Sequence, residues 1–254
     1  MDRRHFLNAT FASIATTVCP HCIGSAAAQG LGGADAELLC GAASSLRSSQ
    51  YNRVLTTGNK NLDRALSSEM KKQQKLYVLR PAFYLFTDKI KNAFATTKKF
   101  PEFPTSDGSI VYGIELMKEQ LARGYWGGAV VAGVLAHEYG HIYQYRSGYF
   151  KRMRKLHKTV KFVELHADYM SGYYIGRKYQ ESGERVNVRT VASATYDIGD
   201  YHYNSPSHHG TPVERTIMLK AGFDLHNSNR NLSIDQIAAE GYRTIMKLYF
   251  KKRG

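Results

Sequence analysis

Residues 134–148 read VLAHEYGHIYQYRSG, and the fold and chemistry of the chain turn on them. His137 and His141 stand four apart with Glu138 directly after the first. On a helix that spacing brings both imidazoles to one face, where they can share a metal ion. Val130, Val134, His137 and His141 follow the same helical spacing, which places both histidines on a face that packs inward. Two histidines do not complete a catalytic zinc site, which usually has three protein ligands and one open position. Read alone, the stretch is also compatible with a pair of satisfied core histidines, and a metal site needs a third ligand from elsewhere in the chain.

A metzincin arrangement needs a histidine at position 147, where Ser147 stands. The segment VKFVELHADYMSGYYIG (160–176) offers a carboxylate instead. Glu164 and Asp168 are four apart and share a helix face, beside Val163, Ala167 and Met170. A carboxylate pair in apolar surroundings is costly without compensation. A metal ligand with a supporting group accounts for it better than a solvated acidic edge does. His166 lies about 200° around such a helix from Glu164, so it points elsewhere and reads as structural.

AHEYGHIYQ (136–144) followed by ELHAD (164–168) resembles the Glu-zincin peptidases, in particular soluble bacterial relatives of the CAAX prenyl protease and heat-shock membrane protease group. The resemblance implies one zinc ion held by His137, His141 and Glu164, with Asp168 orienting a ligand histidine. KNAFATT (91–97) and DGSIVYGIELM (107–117) resemble the segment of that family that precedes the metal helix. They imply that Asn92, Ala93, Phe94 and Ala95 form a cleft edge able to pair with an extended peptide, as in β-augmentation. SHHGTPVER (207–215) resembles the family's histidine-proline motif with an arginine six residues on. By that likeness His209 and Arg215 stabilise an oxyanion. His208 is an adjacent competitor, and Gly210 stands where many members carry proline. Away from the likeness, Arg215 reads equally as a surface cation paired with Glu214.

Around these motifs the pattern is α+β. Helices are expected over 34–50 and 61–75, joined by a TTGNKN turn, and short strands in LYVLRPAFYLFTD, KNAFATT and SIVYG. From Ile114 onward helix follows helix, with breaks at ARGYWGG, RSGYFKR, QESGER, SPSHHGTP and DLHNSNRN; Ser233 is the N-cap of the last. The expectation is a mainly helical zincin-type domain over 29–254 with a sheet of about three strands.

Residues 1–28 have the layout of an export signal, with small residues at Ala26, Ala27 and Ala28. RRHFLN resembles the twin-arginine consensus, with Arg3 and Arg4 as the pair. Removal of this segment would take away Cys19 and Cys22 and leave Cys40 as the one cysteine. No later stretch approaches the ~20 apolar residues that a membrane span needs, so no transmembrane anchor is expected after processing. With 35 Lys and Arg against 21 Asp and Glu, the chain carries a formal charge of +14, which favours anionic partners. No nucleic-acid module is legible, and no nucleic-acid partner is expected. The basic run YFKRMRKLHKTVK (149–161) reads as a solvated segment or as a docking surface for an anionic envelope. Together these features predict a periplasmic or secreted zinc endopeptidase acting on peptide or protein, with Glu138 as general base. The alternative is a basic envelope-binding or chaperone-like protein with a structural zinc.

Overall fold

Asn59 opens the first helix of the computed structural model by accepting hydrogen bonds from the backbone N–H groups of Asn61 and Leu62. The structure describes residues 52–87, 91–183, 192, 201, 203 and 205–250. The export segment 1–28, all three cysteines and the helix expected over 34–50 lie outside the described residues. That first helix, α1 (Lys60–Tyr77), extends slightly beyond both expected ends.

Among the described residues the sheet has four strands: β1 (Arg53–Val54), β2 (Ala82–Phe86), β3 (Ala93–Thr96) and β4 (Ser109–Gly113). Their order is β1-β2-β4-β3, with β2 and β4 parallel and both outer pairs antiparallel. The three expected strands are present, and β1 is an addition. Two residues are too few for a period-2 pattern, and β1 exists by pairing with Leu85 and Phe86. Side chains alternate across the sheet. Leu85, Ala93, Ala95, Ile110 and Tyr112 join the main core, whereas Ala82, Tyr84, Phe86, Phe94 and Val111 gather around Phe100 on the opposite face. Arg53 closes that second cluster, its guanidinium 3.8 Å from the Phe100 ring centre.

Among the described residues, the helices after β4 are α2 (Ile114–Leu121), α3 (Gly127–Ser147), α4 (Tyr149–Arg154), α5 (Lys161–Ser182), α6 (Pro212–Ser228) and α7 (Ile234–Tyr249), with a 3-10 turn at Gly124–Trp126. The expectation of one inward stripe on α3 needs correction. Residues from Gly127 to Gln144 are buried almost without exception, and Val134, placed on that stripe, is only partly buried. α3 touches α1, α2, α5 and the sheet, so it is a central helix, apolar on every side. Gly148, at φ +79°, ends it in the left-handed region and lets α4 begin at once. α6 also runs further than the DLHNSNRN break suggested, to Ser228, because Phe223 and His226 are buried and His226 packs edge-on against Tyr173 of α5.

Two glycines set the closest helix contact. A Cβ on Gly172 of α5 would stand 1.9 Å from the Leu219 carbonyl oxygen, and one on Gly222 of α6 would stand 1.9 Å from that of Tyr169. Only glycine permits that approach. α5 is thereby held between α3 on one side and α6 on the other. Ser233 caps α7 in a reciprocal box with Gln236, as its position suggested.

Candidate metal centre

α3 supplies His137, Glu138 and His141, and α5 supplies Glu164 and Asp168. Gly140 makes their meeting possible. A Cβ there would come within 3.3 Å of the Ala167 Cα, so the two helices cross almost backbone to backbone at the level of the histidines. α6 begins just beyond His209 with a Thr211–Glu214 capping box and Pro212 in its first turn, which sets Arg215 facing α5.

The three side chains expected as ligands converge. Their donor atoms lie within 4.8 Å of one another, and all three residues are buried. His137 Nε2 is 3.0 Å from His141 Nε2 and 3.3 Å from Glu164 Oε2, while His141 Nε2 is 3.5 Å from Glu164 Oε1. Tetrahedral zinc with bonds of about 2.0–2.1 Å requires donor atoms roughly 3.3–3.4 Å apart, close to this triangle.

Ring tautomers make the case stronger. His137 Nδ1 lies 2.9 Å from Asp168 Oδ1, so its proton belongs there. His141 Nδ1 lies 2.9 Å from Gln144 Oε1, and the Gln144 amide is oriented by its N–H donation to the Val163 carbonyl at 2.7 Å. In the neutral rings both Nε2 atoms therefore present lone pairs, and they face each other and a carboxylate. Only a positive charge between them resolves that arrangement. The buried His-His-Glu group can hold a metal ion; in its absence a proton must serve. His137 accordingly has a raised pKa: burial favours the neutral ring, but the hydrogen bonds and charges of Asp168 and Glu164 outweigh it. Glu164 moves the other way. Burial opposes its ionisation, and the His141 charge, with hydrogen bonds to both rings, holds it well below the usual carboxylate range.

Asp168 is anchored from behind. Arg215 donates from Nε to Oδ2 at 2.8 Å and from Nη2 to Oδ1 at 2.9 Å, a two-point clamp with both partners buried. The clamp overcomes the cost of burial and keeps the Asp168 pKa low. Arg215 Nη2 is also 3.7 Å from Glu164 Oε2. The surface-cation reading of Arg215 is thus corrected: Glu214, held in the capping box with Thr211, pairs with Lys161 at the start of α5 at 2.7 Å instead.

Glu138 sits at 2% exposure, and its Oε2 has no hydrogen-bond partner among the described residues. Burial raises its pKa, partly offset by the charges of His137 and His141. A buried carboxylate oxygen without a protein donor, next to a three-ligand site, is placed to take a proton.

The remaining expected residues divide. His209 is half-buried and close enough to Glu164 to lower its pKa, whereas His208 is buried and packs against Tyr203 at 5.4 Å between ring centres. Gly210 adopts φ +93°, out of reach of proline, so this loop follows a path of its own past Leu165 and Arg215. Ala93, Phe94 and Ala95 lie in β3, the last strand in the sheet order; Asn92 precedes it, its carbonyl accepting from the Gly113 N–H at 2.8 Å. His166 points away from the ligand cluster, its Nε2–H donating to the Ala238 carbonyl at 2.8 Å.

Gln144 is the functional residue that the motif reading passed over. It lies three residues beyond His141 and seven beyond His137, on the same helix face. That spacing could have marked it; its contacts on α5 could not have been read from the sequence.

The fold and the site define a class, an α+β protein with a buried His-His-Glu group suited to a metal ion. No family model, curated protein or solved structure matches the chain.

Proposed function

We propose that the chain is a zinc-dependent endopeptidase acting outside the cytoplasm. The observation that carries the reading is buried Glu138 beside His137, His141 and Glu164, its Oε2 without a hydrogen-bond partner among the described residues. A structural zinc site is closed by four protein ligands, whereas a catalytic one keeps a position open. Three donors with a basic oxygen next to them match the second description. Zinc held there supplies a Lewis acid that acidifies water and polarises a peptide carbonyl. Glu138 takes the proton from the attacking water and passes it to the leaving amine. His209, half-buried at the start of α6, assists the developing oxyanion. Arg215 acts one step back, clamping the carboxylate that orients His137. β3, the last strand in the sheet order, with Asn92 before it, is the element assigned to pairing with an extended substrate, its side chains from Ala93 to Ala95 being buried. The export reading of residues 1–28 places this activity in the periplasm or beyond.

A second reading, an anion-docking protein with a structural zinc, draws on the α4 segment. Lys151, Arg152, Lys155 and Lys158 are exposed there, and none has an acidic partner among the described residues. One comparison separates the two. Wild type and Glu138→Gln should bind zinc equally, and only wild type should cleave a fluorescently labelled unfolded protein. The loss in turnover should be at least about a hundredfold, the usual scale for a general base. Equal cleavage by both proteins removes Glu138 from the mechanism, and a wild type that binds zinc but cuts nothing favours the docking reading.

A further inference from the structure

His137 and His141 are supported in different ways. Behind His137 stands a charged pair, Asp168 with Arg215. Behind His141 stands a chain of neutral groups that ends on the C-terminal helix. Its order is set by two backbone carbonyls, which can only accept. Ala238 O on α7 accepts from His166 Nε2–H at 2.8 Å. The neutral His166 ring therefore has an unprotonated Nδ1, and Gln144 Nε2 lies 3.1 Å from it. The other hydrogen of the same Gln144 amide nitrogen goes to Val163 O at 2.7 Å. With both amide hydrogens directed at acceptors, Oε1 is left for His141 Nδ1–H at 2.9 Å. A flipped amide would put its oxygen against two acceptors. One proton arrangement satisfies every member, and it leaves His141 Nε2 as the lone pair that faces His137 and Glu164.

The surroundings are shaped for this chain. Gln144 and His166 are both fully buried. The His166 ring packs 5.0 Å from Tyr149 on one side, and a Cβ on Gly241 would stand 2.9 Å from its Cδ2. The glycine in α7 is what lets the ring approach the helix backbone.

We infer that Gln144 and His166 are positioning residues: together they fix the tautomer and orientation of His141, and so tie metal affinity to the docking of α7. The inference rests on the metal reading but not on peptidase activity. Partners of this kind, when lost, lower metal affinity about 10- to 100-fold.

The test uses the full chain with zinc and cobalt as probes. Zinc affinity is measured by competition with a chromophoric chelator, and the cobalt-loaded protein is followed by its visible absorption bands. His166→Phe keeps the ring volume without the nitrogens, and should lose about tenfold or more in zinc affinity with altered cobalt bands. His166→Gln can accept from Gln144 and donate to Ala238 O, so it should restore both readouts close to wild type. Gln144→Met breaks the chain next to the ligand, should lose at least as much as His166→Phe, and carries the test if that variant does not fold. Wild-type affinity and spectrum in His166→Phe or Gln144→Met overturns the inference, as does His166→Gln behaving no better than His166→Phe. A wild-type chain that takes up no zinc overturns the metal reading itself.

Discussion

At the scale of single residues, the site is organised around a convergence of donor atoms. Two histidine lone pairs and a carboxylate meet within a few ångströms in the interior. Without metal, the carboxylates of Asp168 and Glu164 keep His137 protonated above the ordinary histidine range. Metal binding must displace that proton. The sign follows: at neutral pH binding should release a proton, and affinity should rise with pH until the metal-free His137 is itself neutral. Calorimetric titration in buffers of different ionisation enthalpy reads the proton count directly, and a count of zero at pH 7 would contradict the assignment. The spacing of His137, Glu138 and His141 was legible because one helical turn carries all three. Arg215 was legible only as a charge: whether it meets Glu214, a substrate or Asp168 depends on a helix 47 positions away in sequence from the carboxylate it clamps.

At the scale of elements, the site depends on how closely three helices approach. α5 carries Glu164 and Asp168 between α3 and α6, and its distance to α6 is set by Gly172 and Gly222. Gly172→Ala forces a methyl group into a backbone carbonyl, so the helices must separate. The expected cost is about 3 kcal/mol, the upper part of the usual range for overpacking. Because the shift also pulls Arg215 from Asp168, metal affinity should fall with stability. Urea unfolding and chelator competition on the same variant check both. By contrast, Gly140→Ala meets the flexible end of Met170 at 3.0 Å and the Ala167 Cα at 3.3 Å, tight contacts rather than a collision with a carbonyl, and should cost less. The strands were readable from their β-branched and aromatic runs, and their order was not. β4 lies between β2 and β3 because β2 pairs with it in parallel, skipping β3, a long-range choice that no local pattern encodes.

For the whole molecule, a metal held by the His-His-Glu group and a change of pH would act on the same core. A metal that binds only the folded chain stabilises it by about 4 kcal/mol at a thousandfold excess over its dissociation constant. Chelation should therefore lower the melting temperature by roughly 10 °C in a chain of this size. A melting curve unmoved by chelator and restored metal would place the ion outside the folding equilibrium. The pH response of the metal-free protein has a separate origin in His166. Burial pushes its pKa down to about 4, with the Ala238 hydrogen bond opposing the shift and the proximity of His141 adding to it. A depressed histidine contributes stability that is complete above pH ~6.5 and is lost as pH falls towards ~4, on the order of 3 kcal/mol in all. Denaturant titrations of wild type and His166→Gln at pH 7 and pH 5, both metal-free, should show the larger loss in wild type.

What the sequence by itself determined is the chemistry available and its local geometry: two histidines and a glutamate on one helix, two carboxylates on another, an α+β pattern around them. Helical periodicity places side chains within a single element, and that is short-range information. The tertiary structure decided which carboxylate faces the histidines and which stands behind them, where Arg215 makes its ion pair, and how Gln144 and His166 link the site to α7. Those choices depend on distances between helices, and here the distances follow from glycines at the crossings and from carbonyls that accept only one arrangement of protons.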